Sequence, residues 1–232
     1  ESDVRRALLG RLKAVGKYHG DTAQIIENLA GVLSDQSRHL EVEKLARTSL
    51  EIYEALGYAP DSAHRVRVTY RLAVALFSQR RYGDAKALFD QIDAATRAWP
   101  PQRSVGLRTS WPRVFVDYNT RNVESGIERA REQLAFQKAR KGELHYDTAM
   151  ARAVLAAGFT YARRDGDALA EFKLAMPMLL NTVHDDEEGD LTTRLSAETR
   201  LQVVAEANMA LLARAKDGAA AAAESFQVAE AI

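Results

Sequence analysis

The chain has 232 residues, 47% hydrophobic and 28% charged, enough apolar content for a substantial core and no signature of disorder. Its 32 Lys and Arg residues balance 32 Asp and Glu residues, so no global field favours DNA, RNA or an anionic membrane. Cysteine is absent, which removes disulfides, thiol nucleophiles and common zinc-finger sites, and no apolar run reaches the roughly 18 residues of a membrane span.

A soluble chain is therefore expected, with the cytoplasm favoured although the missing cysteine does not fix the compartment. Strand signals are nearly missing: no Asn-Gly or similar hairpin turn separates alternating runs, and Ala, Leu, Arg and Glu are abundant. Apolar positions at i, i+3, i+4 and i+7 predict helices joined by short polar turns. The first, over 3–15, carries Val4, Leu8, Leu12 and Val15 on one face and reads as the second helix of a pair. Helices over 22–35 and 40–56 follow, then 62–79 and 82–99, with Leu29-Ala30 reappearing as Leu72-Ala73 after 43 residues. A third pair is predicted over 107–118 and 123–140, where Pro112 restricts Trp111 and marks a late helix start or a kink. A fourth covers 148–163 and 167–180, restoring the pair at Leu155-Ala156, and the last covers 191–214 and 219–232.

The step into that last pair is about ten residues longer than the others. The surplus falls at 181–190, where the run from His184 to Asp190 forms an acidic loop. Calcium binding is set against a solvated loop there. The alternating ligands and later glutamate of an EF-hand are missing, so the solvated loop is the expectation.

An octet, Gly-x-x-His-x-Asp-Thr-Ala, is written twice, from Gly16 to Ala23 and from Gly142 to Ala149. The copies lie 126 residues apart, three units of 42, and a diluted third version runs from Gly57 to Ala63. Iteration at that period predicts a solenoid. Each octet reads as a turn between helices: Gly16 and Gly142 take a left-handed conformation, and Asp21, Thr22, Asp147 and Thr148 cap the next helix. Gln24 is placed for a capping box, which Met150 at the equivalent position cannot form. His19 and His145 read as turn residues, set against a ligand or general-base role.

Leu72-Ala73, the run Arg81-Tyr82-Gly83-Asp84-Ala85 and Leu88-Phe89, with Leu155-Ala156, Gly158, Ala168 and Phe172, resemble the tetratricopeptide repeat. The ordinary repeat has a period of about 34 residues. Here the units step by 40 to 43, which is similar to the kinesin light chain variety, matched best over 25–63. The resemblance implies an all-α fold, a right-handed α-α superhelix of antiparallel helix pairs. It implies one repeat domain over 1–232 with about five pairs, the first and last incomplete. Ala73, Ala85, Ala156 and Ala168 would let paired helices approach closely, and Phe89 and Phe172 would fill the space between units. The third unit departs most, with Val123-Glu-Ser-Gly126-Ile127 where an Ala-centred second helix is expected.

No phosphate loop, dinucleotide fingerprint or His-Glu-x-x-His motif is present, and His39 and His64 fall in or beside turns. No catalysis, metal or cofactor is expected. Arg80-Arg81 and Arg163-Arg164 recur at the turn inside a pair, where solvated charges are favoured over phosphate binding. The resemblance places function in a groove lined by the first helix of each pair. Its groove positions fall on Gln24, Glu27, Gly31 and Ser34, then on Arg67, Tyr70, Val74 and Phe77. Tyr70 and Phe77 are candidate aromatic anchors, with packing against a neighbouring unit as the alternative.

The expected function is thus a scaffold that binds a protein or peptide. Both chain ends read as cut from something longer, since Glu1 stands in place of Met and an amphipathic run leads to Ile232. Bacterial proteins with similar repeats often carry a CHAT caspase-like peptidase domain downstream, so a regulatory arm of such a peptidase is one alternative. Self-association as a homodimer through uncapped ends is the other.

Overall fold

The computed structural model describes residues 1–182 and 191–214, without the side chains of 181, 182 and 191–199. The acidic run 184–190 and the expected helix over 219–232 lie outside the described residues. Within them all regular structure is helical, and no helix is long and apolar enough to cross a membrane. The chain divides into two compact units, Glu1–Arg108 and Thr109–Ile232. The first holds α1 (Ser2–Val15), α2 (Gly20–Asp35), α3 (His39–Ala55), α4 (Ala63–Ser78), α5 (Tyr82–Ala95) and α6 (Pro101–Arg108). The second holds α7 (Trp111–Asn119), α8 (Val123–Lys141), α9 (Tyr146–Tyr161), α10 (Asp165–Thr182) and α11 (Leu191–Leu212).

Two kinds of turn alternate. Inside a pair, the first helix closes on a residue that is not glycine yet has positive φ: Ser37 (57°), Arg80 (59°), Arg121 (62°) and Arg163 (60°). The next amide reaches back to the helix, Arg38 to the Leu33 carbonyl and Arg81 to that of Leu76 at 3.0 Å, Arg164 to that of Phe159 at 2.9 Å. This is the closure that usually recruits glycine. The same arginine then holds an acid three residues on, in the pairs Arg38–Glu41, Arg81–Asp84 and Arg164–Asp167. Arg81 and Arg164 therefore clamp their turns, while Arg80 and Arg163 stay exposed.

Between pairs, glycine does what no other residue does well. Gly16 (φ 80°, ψ −174°) and Gly142 (φ 88°, ψ 171°) occupy a backbone region that is essentially glycine-only. The helices that follow are capped by histidine, which corrects the expectation that Asp21, Thr22, Asp147 and Thr148 do so. The Nδ1 atoms of His19 and His145 accept the backbone N–H of Asp21 (3.2 Å) and Asp147 (3.1 Å). Thr22 and Thr148 instead donate their hydroxyls to the carbonyls of Gly16 (2.9 Å) and Gly142 (2.7 Å), lacing each octet to itself. The reason is register: α2 starts at Gly20, so Asp21 and Thr22 already lie inside the first turn. Gln24 is then too far along to close a capping box, and it bonds Asn28 at 3.2 Å.

Other boundaries differ from the expected ones for local reasons. The helix expected over 82–99 stops at Ala95, where the Thr96 hydroxyl donates to the Ile92 carbonyl at 2.8 Å. The segment expected as one helix over 107–118 is split between α6, opened by Pro101, and α7, with Ser110 at its N-cap and Pro112 in its first turn. Proline suits a first turn because the missing N–H has no partner there anyway.

In the first unit Leu29, Ala30 and Leu33 of α2 pack with Val42 of α3 and Ala75 of α4, and Val4 and Leu8 of α1 lie partly buried against them. Ala73 and Ala85 are wholly covered and Phe89 nearly so, as the repeat pattern requires. The α1 stripe is only half used, with Leu9, Leu12 and Val15 exposed. In the second unit α7, α8, α10 and α11 all pack on α9. Every residue of α9 from Thr148 to Thr160 is consequently buried, and its alanines keep the helix thin enough to be surrounded. Ala156, Ala168 and Phe172 are buried at the expected contacts.

Candidate binding face

The first helices of adjacent pairs in the first unit, α2 and α4, are linked through side chains, above all by an ion pair. Glu27 is only 2% exposed on α2, where its carboxylate takes the Arg67 guanidinium from α4 at two points, through Nε and through a terminal nitrogen at 2.9 Å. Arg67 also donates to Gln24 Oε1 (3.2 Å) and touches His64 Nδ1 at 3.2 Å. Beneath the pair, Tyr53 of α3 approaches His64 at 3.4 Å and packs its ring 4.9 Å from Tyr58. Burial, reinforced by the Glu27 carboxylate, pushes the Tyr53 hydroxyl up to about 12.

Of the eight groove positions expected from the sequence, Gln24, Glu27 and Arg67 thus meet in one polar network. Gly31 contributes through the side chain it lacks. A Cβ there would stand 2.9 Å from a terminal nitrogen of Arg71, so the bare backbone lets that guanidinium lie across α2. Ser34, Tyr70 and Val74 are half-buried. Tyr70 stands edge-on to Phe89 with centroids 5.9 Å apart. Phe77, 9% exposed, packs against Tyr82 at the start of α5 with centroids 5.9 Å apart.

Arg71 is not one of the expected positions, yet it has no hydrogen-bonded or ion-paired partner among the described residues. Its Nε is buried with no acceptor, and burial lowers its pKa despite the nearby carboxylates of Glu27 and Asp35. The desolvation cost of that guanidinium is already met by the fold. The signal in the sequence is faint: a mid-helix glycine, Gly31, 40 residues before an arginine on the next first helix.

In the second unit the positions repeat-equivalent to Gln24, Glu27, Gly31 and Ser34 are Met150, Ala153, Ala157 and Thr160, all buried inside α9's cage. The polar face is therefore a property of the first unit's own sequence. Among the described residues no three His, Asp or Glu side chains converge as a metal site.

Helix pairs closed by alternating turns, with small residues at their contacts and no strand among the described residues, define an all-α solenoid of tetratricopeptide type. Among solved structures the chain is similar to the crystal structure of BtubC (BKLC) from P. vanneervenii, with a TM-score of 0.54 and 16% identity over 100% of this chain and 83% of that one. That likeness shows a kinesin-light-chain-like repeat fold. No family model matches the chain, and no curated protein matches it. Nothing in these comparisons bears on the CHAT peptidase connection.

Proposed function

We propose that the chain is a non-catalytic scaffold whose α2–α4 face holds an extended segment of a protein or peptide. The observation that supports this reading is the Arg71 guanidinium lying across Gly31 with no partner among the described residues, flanked by the half-buried Tyr70 and Val74. A carboxylate on the bound segment meets Arg71, its apolar side chains meet Tyr70 and Val74, and Gln24, Glu27 and Arg67 hold the two helices at the right spacing. Ser34 and Phe77 line the same face.

Selection of a random peptide library on the full chain tests the reading. Enriched peptides are expected to carry a carboxylate and to lose about tenfold or more in affinity to Arg71→Met, a change that keeps the apolar stem. Tyr70→Ala weakens binding less. Peptides that bind Arg71→Met and Tyr70→Ala as tightly as wild type would place the site elsewhere.

A second reading draws on α1. Leu9 (60% exposed), Leu12 (37%) and Val15 (41%) leave apolar surface uncovered along α1, which favours pairing with another chain. Light scattering of wild type against Leu9→Lys separates the cases: a dimer that dissociates in the variant supports self-association, and a monomeric wild type removes it.

A further inference from the structure

The second unit contains a cavity of about 140 Å³ between α7, α8 and α9, with Arg200 of α11 on its wall among the described residues. We propose that it is a site for a small free α-amino acid, separate from the α2–α4 face. Its apolar side is built by Trp111 and Met150 and its polar side by Gln133, Gln137, Asp147 and Arg200. Two of those residues hold buried polar atoms without a partner among the described residues, Arg200 at Nε, a donor, and Gln137 at Oε1, an acceptor. Arg200 makes no ion pair with any described residue, whereas Asp147 is held by Lys141.

The wall therefore asks for three things at once. Arg200 needs an anionic acceptor, since a half-buried guanidinium without one carries an uncompensated desolvation cost. Gln137 needs a donor. Trp111 and Met150 offer an apolar surface that a purely polar solute would leave uncovered. A carboxylate and an ammonium on one carbon, with a modest apolar side chain, meet all three: carboxylate to Arg200, ammonium to Gln137 beside Asp147, side chain to Trp111. A cavity of about this size suits roughly six to nine non-hydrogen atoms, the range of the small and medium aliphatic amino acids. Gln133 is fixed by the Thr109 hydroxyl, which donates to its Oε1 at 2.6 Å, so that wall is preorganised.

The test uses the full chain carrying Trp99→Phe, which leaves Trp111 as the sole tryptophan. Titration with each free amino acid is expected to change Trp111 fluorescence for a small aliphatic subset and to raise the melting temperature with it. Binding is lost when the same amino acid is offered with its carboxyl amidated or its amine acetylated. Arg200→Met weakens it by about tenfold or more and Gln137→Leu by less. Arg71→Met leaves amino-acid binding unchanged, so failure here and failure of the peptide reading are told apart. Should Arg200→Met not fold, the amidated and acetylated ligands still decide. No response to any free amino acid at millimolar concentration, or a response that survives amidation, overturns the proposal and leaves water as the occupant.

Discussion

Tyr118 lies across Gly158: a Cβ built on that glycine would overlap the Tyr118 hydroxyl oxygen and stand 2.7 Å from its Cζ. Gly126 makes room on another part of the ring, where a Cβ would come within 2.6 Å of Cδ1 and Cε1. The ring is thus seated in a slot cut by two helices, donates its hydroxyl to the Val154 carbonyl at 3.1 Å and stacks on Tyr161 with centroids 5.4 Å apart. Burial, aided by Asp117, pushes that hydroxyl well above its usual pKa, so it remains a donor at ordinary pH. Gly158→Ala and Gly126→Ala are each expected to lower stability by about 1–3 kcal/mol through overpacking. The loss at Gly158 shrinks in a Tyr118→Phe background, which removes the nearest atom. Urea melts of the four chains in that cycle read the coupling, and strictly additive losses would show that ring and glycine act independently.

That slot explains why the third unit departs from its pattern. Gly126 sits where the repeat favours alanine because the Tyr118 ring takes the space of the methyl group. Gly158 is legible as part of the repeat, whereas its partner Tyr118 is not, since no local spacing links residues on different helices. The same distinction runs through the fold. Helix pairs, the Leu-Ala contacts and the octet turns follow from period and from short-range chemistry, so they are readable in the sequence. The histidine caps are not, because Asp, Thr and His in one octet all offer an acceptor and the choice rests on where Gly20 starts the helix. At the binding face, Glu27 and Arg67 are readable as positions but not as a pair, and Arg71 becomes visible only once Gly31 is seen beneath it.

The non-glycine residues at positive φ give a stability prediction of opposite sign. Ser37, Arg80, Arg121 and Arg163 bear the strain of a left-handed backbone that glycine adopts freely. Arg80→Gly and Arg163→Gly are each expected to stabilise by about 0.5–1 kcal/mol, the strain relieved being partly offset by the greater freedom of glycine in the unfolded chain. Gly16→Ala and Gly142→Ala are expected to cost about 1–3 kcal/mol, because their ψ lies in the glycine-only region. Midpoints in guanidinium decide it; a loss of stability in Arg80→Gly would mean that its side chain contributes more than its backbone costs.

The capping role of the octet histidines is separable from any ligand role. His19→Ala and His145→Ala each remove the acceptor for one N–H of the first turn, at an expected cost of about 0.5–1 kcal/mol. His19→Asn and His145→Asn supply an equivalent acceptor and are expected to restore most of it. Thermal melts compare the series. Equal losses in the Ala and Asn variants would point to something other than the cap.

His39 sets a pH dependence. Burial lowers its pKa below the ordinary 6.5, its Nδ1 is buried with no partner among the described residues, and it opens α3, where a positive charge opposes the helix dipole. The fold therefore prefers the neutral ring. Its contribution to stability is complete above the unfolded pKa near 6.5 and is lost as pH falls from there through the lower folded value. Denaturation free energies between about pH 7 and pH 5 are expected to fall more steeply in wild type than in His39→Gln. Parallel slopes would remove His39 as the source.

The Glu27–Arg67 pair yields the last test, and it is asymmetric. Truncating Arg67 alone leaves a carboxylate 2% exposed without its counter-charge, whereas the guanidinium, 46% exposed, keeps access to water. Arg67→Met is expected to cost about 1–3 kcal/mol, less than a wholly buried pair would because solvent reaches one partner. Arg67→Lys recovers only part of this, since an ammonium cannot reproduce the two-point hold. Replacing both members, Glu27→Met with Arg67→Met, removes the stranded charge and is expected to return stability close to wild type. Double-mutant analysis of urea midpoints reads this directly: if the double variant is as unstable as Arg67→Met alone, the arginine supports the α2–α4 contact by packing rather than by neutralising Glu27.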